Sequence, residues 1–214
     1  MGKLKEMPLL LIVAIPFLLL AWIWSSLPEI VPIHWNISGE IDGYGGKSHL
    51  ILVPIILPLL TYLVLTFLPM IDPKKKVQTN STKYQNLRLL LIGGMSLLSC
   101  VIIYTAQREV DGLISQPMIF VILGLVLIIL GNYLPTVRQN YFIGIRTPWS
   151  LENEDNWTKT NKLGGKLFFA CGVLVVLFSF LLKGPMLVSA TTVIVVTSAL
   201  VSIIYSYKIY RKTA

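Results

Sequence analysis

Residues 140–166 read NYFIGIRTPWSLENEDNWTKTNKLGGK, the longest stretch without sustained apolar character in an otherwise very hydrophobic chain. This break separates apolar runs and turns the chain into a countable set of spans. Its first part, Asn140-Tyr141-Phe142-Ile143-Gly144-Ile145-Arg146-Thr147-Pro148-Trp149, crowds together aromatics, a glycine, an arginine and a proline. Gly144 opens backbone angles that other residues resist, and Pro148 pushes Thr147 out of the helical region. Ser150 stands at a helix N-cap position. Glu152, Glu154 and Asp155 follow where the helix dipole favours acids. The pattern predicts a shaped turn feeding a short helix that carries Trp157 and ends near Gly164-Gly165.

On either side the chain is apolar. About 20 apolar residues cross a bilayer core as helix, and six runs qualify: 7–26, 49–69, 89–106, 117–134, 167–182 and 186–207. The fifth is the shortest. The first is too long for the apolar part of a cleaved signal peptide and has no small-residue cleavage site after it, so it reads as a retained span. With 55% hydrophobic and 13% charged residues among 214, a soluble domain is excluded. The fold class is an all-α membrane protein of six transmembrane helices, one polytopic domain over 1–214.

The net charge of +8 invites a nucleic-acid reading, but its distribution describes membrane orientation. Lys3 and Lys5 precede the first run, and Lys74, Lys75, Lys76, Lys83 and Arg88 follow the second. Arg138, Arg146, Lys159, Lys162 and Lys166 follow the fourth, and Lys208, Arg211 and Lys212 end the chain. Of the 18 basic residues, only Lys47, Arg108 and Lys183 fall on the other side. By the positive-inside rule both termini are expected in the cytoplasm. Residues 135–166 then form a cytoplasmic loop and 27–48 an external one. No direct nucleic-acid contact is expected, because the basic residues are already explained.

In the external loop, Val31, Ile33 and Trp35 alternate with Pro32, His34 and Asn36, and Asp42-Gly43 and Gly45-Gly46 supply turns. This predicts a small outer hairpin. His34 and His49 with Glu29, Glu40 and Asp42 match no metal-site spacing, so hydrogen bonding of His34 within the hairpin is expected and no metal. Trp35 and Tyr44 either anchor at the membrane interface or form a peptide-binding face. The internal loop from Asp72 to Arg88 reads as a polar linker attracted to anionic membrane lipid. Pro16, Pro54 and Pro58 predict kinks whose freed carbonyls neighbours must satisfy. Gly93, Gly94, Ser96, Ser99, Gly124, Gly131, Ser198 and Ser202 are close-packing positions. Cys100 and Cys171 lie in spans and read as packing residues, not a disulfide.

No Asp, Glu, Lys, Arg or His falls in the central part of a run, where ion-coupled transporters place ionisable groups, and no inverted repeat is visible. There is no nucleophile elbow, metal-ligand spacing or phosphate-cradling loop. An enzyme is not expected, and neither is a cofactor. For Arg146 a lipid phosphate, a nearby acid or a helix end all remain open as partners.

The central stretch, preceded by Gly131-Asn132, resembles the signature of the SdpI family of bacterial membrane immunity and signalling proteins. Asn140, Gly144, Arg146-Thr147-Pro148-Trp149, Trp157, Thr160 and Gly165 carry the likeness. A second block is similar to the family's N-terminal pattern: Leu27-Pro28, Ile30, Pro32, His34-Trp35-Asn36, Gly39, Asp42-Gly43-Tyr44 and Lys47. Asn161 departs from it, standing where histidine is expected. The resemblance implies a multi-pass plasma-membrane protein that protects a cell from a secreted peptide toxin and signals by drawing a cytoplasmic transcriptional repressor to the membrane. Carried over residue by residue, it implies a partner-binding set of Asn140, Gly144, Arg146, Thr147, Pro148, Trp149, Trp157 and Asn161. It also implies a toxin-facing set of His34, Trp35, Asn36, Gly39, Tyr44 and Lys47. The rival readings are a transporter-like component of envelope-stress resistance and a structural membrane protein.

Overall fold

The computed structural model describes residues 2–38, 40–71, 81–108 and 112–213, and for 2–5, 108, 112–116 and 213 the backbone only. Gly39 of the toxin-facing set and Lys74, Lys75 and Lys76 of the internal linker lie outside the described residues, as do the side chains of Lys3, Lys5 and Arg108. Among the described residues, six helices are long and apolar enough to cross a membrane. They are α1 (Gly2–Ile23), α2 (Lys47–Ile71), α3 (Thr82–Arg108), α4 (Gly112–Tyr133), α6 (Glu154–Leu181) and α7 (Gly184–Thr213). A short α5 (Pro148–Glu152) precedes α6. The order follows the apolar runs, and most helices extend past them into polar sequence.

α3 is the axis of the bundle: half of its apolar window is buried, against 17% for α7. Its side chains also complete the backbones of its neighbours. Pro16 removes the donor that would bond the Ile12 carbonyl, and Ser96 of α3 donates to that oxygen at 3.0 Å. Pro69 likewise frees the Leu65 carbonyl, and the buried Tyr84 hydroxyl donates to it at 2.5 Å. Pro58 is absorbed differently. α2 opens as a 3₁₀ turn (Lys47–Ile51), passes through a π-helical turn at Ile55–Leu59, and Thr61 bonds the Leu57 carbonyl at 2.6 Å.

α4 and α6 meet along glycines. A β-carbon on Gly124 would lie 2.8 Å from the Gly172 carbonyl, and one on Gly131 would lie 2.7 Å from that of Gly165. Two glycines seven residues apart on each helix thus let antiparallel backbones touch. Gly93, read as another packing position, instead faces open space.

At one end of the bundle, β1 (Ile30–Trp35) and β2 (Ile41–Gly46) form the expected antiparallel hairpin. Its alternation is not strict. The register shifts between Pro32 and His34 and again before Trp35, which leaves Ile33 exposed and Val31 buried. Val31 packs with Leu20, Ile23, Leu50 and Ile103, fixing the hairpin to the ends of α1 and α3. Gly184, in the α6–α7 connection, lies beside Ser38 near the hairpin tip.

Two expectations fail at residues 140–166. Thr147, not Ser150, is the N-cap of α5: its hydroxyl accepts from the Ser150 amide while the Ser150 hydroxyl accepts from the Thr147 amide. Pro148 supplies the preset first helical position, which moves the cap three residues earlier. Nor does a helix end near Gly164-Gly165, because α6 runs unbroken from Glu154 to Leu181. Glycine weakens a helix in water, but here neighbouring chains fill the space: Ile145 lies over Gly164 and Pro135 over Gly165. Arg88 is a third surprise. Grouped with a loop by sequence, it is 4% exposed within α3 and holds Glu6 of α1 through two 2.8 Å bonds and Thr66 of α2 through one of 2.9 Å.

Candidate functional site

Residues 137–161 fold into a compact knot between α4, α6 and the last turns of α7. Asn140 organises its first turn. Its side-chain oxygen accepts from the amides of Phe142 and Ile143 (2.7 and 2.8 Å), and its nitrogen donates to the carbonyls of Arg138 and Ile143. Gly144 follows with φ of 123°. A β-carbon there would lie 2.8 Å from Asn161 Oδ1 and 2.9 Å from the Trp157 ring. Only glycine meets both the angle and the space. Asn161 then accepts from the Ile145 amide at 2.8 Å, and Trp157 Nε1 donates to the Val137 carbonyl at 2.8 Å.

Past the turn the network reaches α7. Thr147 Oγ1 lies 2.6 Å from Ser206 Oγ, which donates to Asn156 Oδ1 at 2.9 Å. Asn156 Nδ2 returns a bond to the Ser206 carbonyl, and the Thr160 hydroxyl also donates to Asn156 Oδ1. Gln139 fastens the end of α5 by donating to the carbonyls of Ser150 and Leu151. Buried polar atoms that are fully bonded rigidify what they join.

The eight residues of the partner set therefore divide. Asn140, Thr147, Trp157 and Asn161 are buried and Gly144 is half-buried; they build the knot. Arg146 and Pro148 are exposed, and the half-buried Trp149 leans on Tyr207 and Tyr210 with ring centroids 5.0 and 6.2 Å away. Arg146 donates one bond, 2.5 Å to the Tyr141 carbonyl, on a surface it shares with the exposed Tyr141. Neither an acid nor a helix end pairs with Arg146 among the described residues; it bonds this carbonyl instead. Sequence reasoning passed over Gln139, Asn156 and Ser206. Ser198, Ser202 and Ser206 recur every four residues on α7, a stripe that marks a buried face.

On the hairpin, His34 Nδ1 donates to Asp42 Oδ1 at 2.5 Å, as the sequence led one to expect. The tip is closed by Asn36, whose amide donates to the Glu40 carbonyl at 2.9 Å while its side chain exchanges bonds with Glu40. Lys47 pairs with Glu29 at 2.8 Å and lies 5.4 Å from the Trp24 ring centre. His49 donates to the Gly46 carbonyl. Each group once weighed as a metal ligand thus has its own partner. Tyr44 is 63% exposed, whereas Trp35 is half-buried and its indole N–H finds no acceptor among the described residues. Ile30, Ile33 and Ile37 are also exposed on this small hairpin.

The comparisons with known proteins fall on these two regions. Residues 136–206 match the model of the SdpI/YfhL protein family, and residues 11–57, which span the hairpin, match a domain of unknown function, DUF1648. The chain is similar to Immunity protein SdpI of Bacillus subtilis (strain 168), with 26% identity over 208 residues covering 97% of each chain. No solved structure matches. Six apolar helices and this similarity make the chain a multi-pass protein of the bacterial plasma membrane. The knot and the α7 face that holds it thus lie within the stretch that matches the SdpI/YfhL family model, residues 136–206, in a chain that is similar to an SdpI immunity protein nearly end to end.

Proposed function

We propose that this chain is a membrane immunity protein that protects its cell from a secreted antimicrobial peptide. The observation that carries the reading is similarity to an immunity protein over 97% of both chains, which takes in the hairpin and the knot together. The hairpin meets the peptide. Its two strands pair only with each other among the described residues, and the exposed side chains of Tyr44, Ile30, Ile33 and Ile37 offer apolar contacts next to unpaired strand edges. Such edges accept an extended peptide through main-chain bonds, with side-chain contacts adding selectivity. His34, Asn36 and Lys47 hold the hairpin in shape through Asp42, Glu40 and Glu29.

The knot serves the second half of the activity. Its outer side, the exposed Tyr141, Arg146 and Pro148 with the half-buried Trp149, receives a cytoplasmic repressor when the toxin is bound. The buried bonds from Thr147 and Asn156 to Ser206 tie that side rigidly to α7, which begins beside the hairpin tip.

Expression in a bacterium sensitive to the peptide, followed by challenge, tests the reading. Survival above the empty-vector control is expected. Tyr44→Ala at equal membrane abundance is expected to lower it, and Tyr44 suits the test better than the half-buried Trp35. Survival no better than vector at confirmed abundance contradicts immunity. Full survival of Tyr44→Ala removes the hairpin face.

A further inference from the structure

At the end of the bundle that carries the knot, α3 begins and α4 finishes side by side, and a cavity of about 370 Å³ opens between them. Its mouth holds Lys83, Asn86, Asn132 and Thr136, all exposed. Its wall is formed by Leu87, Leu90, Ile129 and Tyr133, with Leu90 and Ile129 one to two turns deeper along the two helices. No carboxylate lines it among the described residues, and Glu6 of α1 is already held by Arg88. A cation and two carboxamides thus ring the entrance to an apolar groove at the edge of a membrane span.

We propose that this cavity is a binding site for one anionic glycerophospholipid, with its phosphodiester at Lys83 and its acyl chains along Leu90 and Ile129. Lys83 supplies the opposite charge as a compact ammonium, and Asn86 and Asn132 supply directional N–H donors to phosphate oxygens. The remaining lining decides the headgroup. A zwitterionic lipid brings an ammonium that would find no acid here. A headgroup bearing hydroxyls finds the carboxamide oxygens and the Thr136 hydroxyl. Leu90 is 51% exposed, so the groove is open sideways to lipid and a chain enters from the bilayer without crossing polar surface. A free phosphate compound would use the mouth and leave the apolar wall wet. The site lies apart from the hairpin and from the exposed side of the knot, so the proposal stands independently of the immunity reading.

Native mass spectrometry of the purified full chain tests it, using phosphatidylglycerol, phosphatidylcholine and glycerol 3-phosphate as probes. One retained phosphatidylglycerol is expected, in preference to phosphatidylcholine, with no adduct of glycerol 3-phosphate. Lys83→Gln should reduce retention at least about five-fold, the order of effect of one basic residue near an anionic surface, and Asn132→Leu should reduce it about two- to ten-fold, the order of effect of one neutral hydrogen bond. Lys83→Arg should keep it. The control is Lys208→Gln, an exposed lysine on α7, which should leave retention within about two-fold, because charge far from a bound headgroup is screened. Thermal midpoints compared across the variants identify any that misfold, and Lys83→Arg keeps the test decisive in that case. Equal retention of both lipids, equal losses from Lys83→Gln and Lys208→Gln, or glycerol 3-phosphate binding as tightly as the lipid would each overturn the site.

Discussion

Gly144 and Arg146 are two residues apart, the first packed against the interior of the knot and the second on its surface. At Gly144 the left-handed backbone and the nearby Asn161 and Trp157 both exclude a side chain. Gly144→Ala should therefore cost about 1–3 kcal/mol of stability, read as a lowered thermal midpoint in detergent; an unchanged midpoint would mean the turn is softer than described. Arg146 has one bond to a carbonyl and otherwise faces outward. If its guanidinium grips a repressor carboxylate in two-pronged fashion, Arg146→Lys should weaken recruitment of a fluorescent repressor nearly as much as Arg146→Ala. Full recruitment by the lysine variant would reduce Arg146 to a general charge. The sequence singled out Asn140, Gly144, Trp157 and Asn161 but could not say which way they face. A polar residue looks the same in sequence whether its hydrogen bonds go to a partner or to its own chain. Here the answer rested on Ser206, 50 residues beyond Asn156, and on Val137, 20 residues before Trp157.

At the scale of helices, α3 acts as a rack of donors for carbonyls that prolines have freed in α1 and α2. If that is the role of Ser96, its value depends on Pro16. Ser96→Ala should destabilise the chain by about 0.6–2 kcal/mol, the range of hydrogen bonds between membrane helices. In a Pro16→Ala background, where the Ile12 carbonyl regains its own donor, the same change should cost close to nothing. Tyr84 and Pro69 form a second, independent cycle. Additive costs in both cycles would refute the pairing. The six spans were legible because span length and apolarity are enough to count them. The continuity of α6 was not, since glycine's helix-breaking tendency was applied as if Gly164 and Gly165 faced water. Arg88 escaped for a related reason: a charge at a span's edge looks like a loop residue until Glu6, 82 positions away, is seen beside it.

The whole molecule is a bundle with two unlike ends. One end carries the hairpin, seated on Val31 and touched near its tip by the α6–α7 connection; the other carries the knot, the Arg88–Glu6 pair and the mouth of the α3–α4 cavity. The apolar side chains between them, such as Leu18, Phe180 and Val193, point outward at 62–73% exposure, as a lipid-facing belt requires. From the charge asymmetry of the loops we propose that the hairpin lies outside and the knot in the cytoplasm, and the roles proposed for the hairpin and the knot depend on that orientation. Thiol accessibility tests it most directly. In a chain whose Cys100 and Cys171 have been replaced, single cysteines at Ser38 and at the exposed Glu152 are offered a membrane-impermeant maleimide in intact cells. Ser38 should be labelled at once and Glu152 only after the membrane is opened, whereas labelling of Glu152 in intact cells with Ser38 protected would contradict the account.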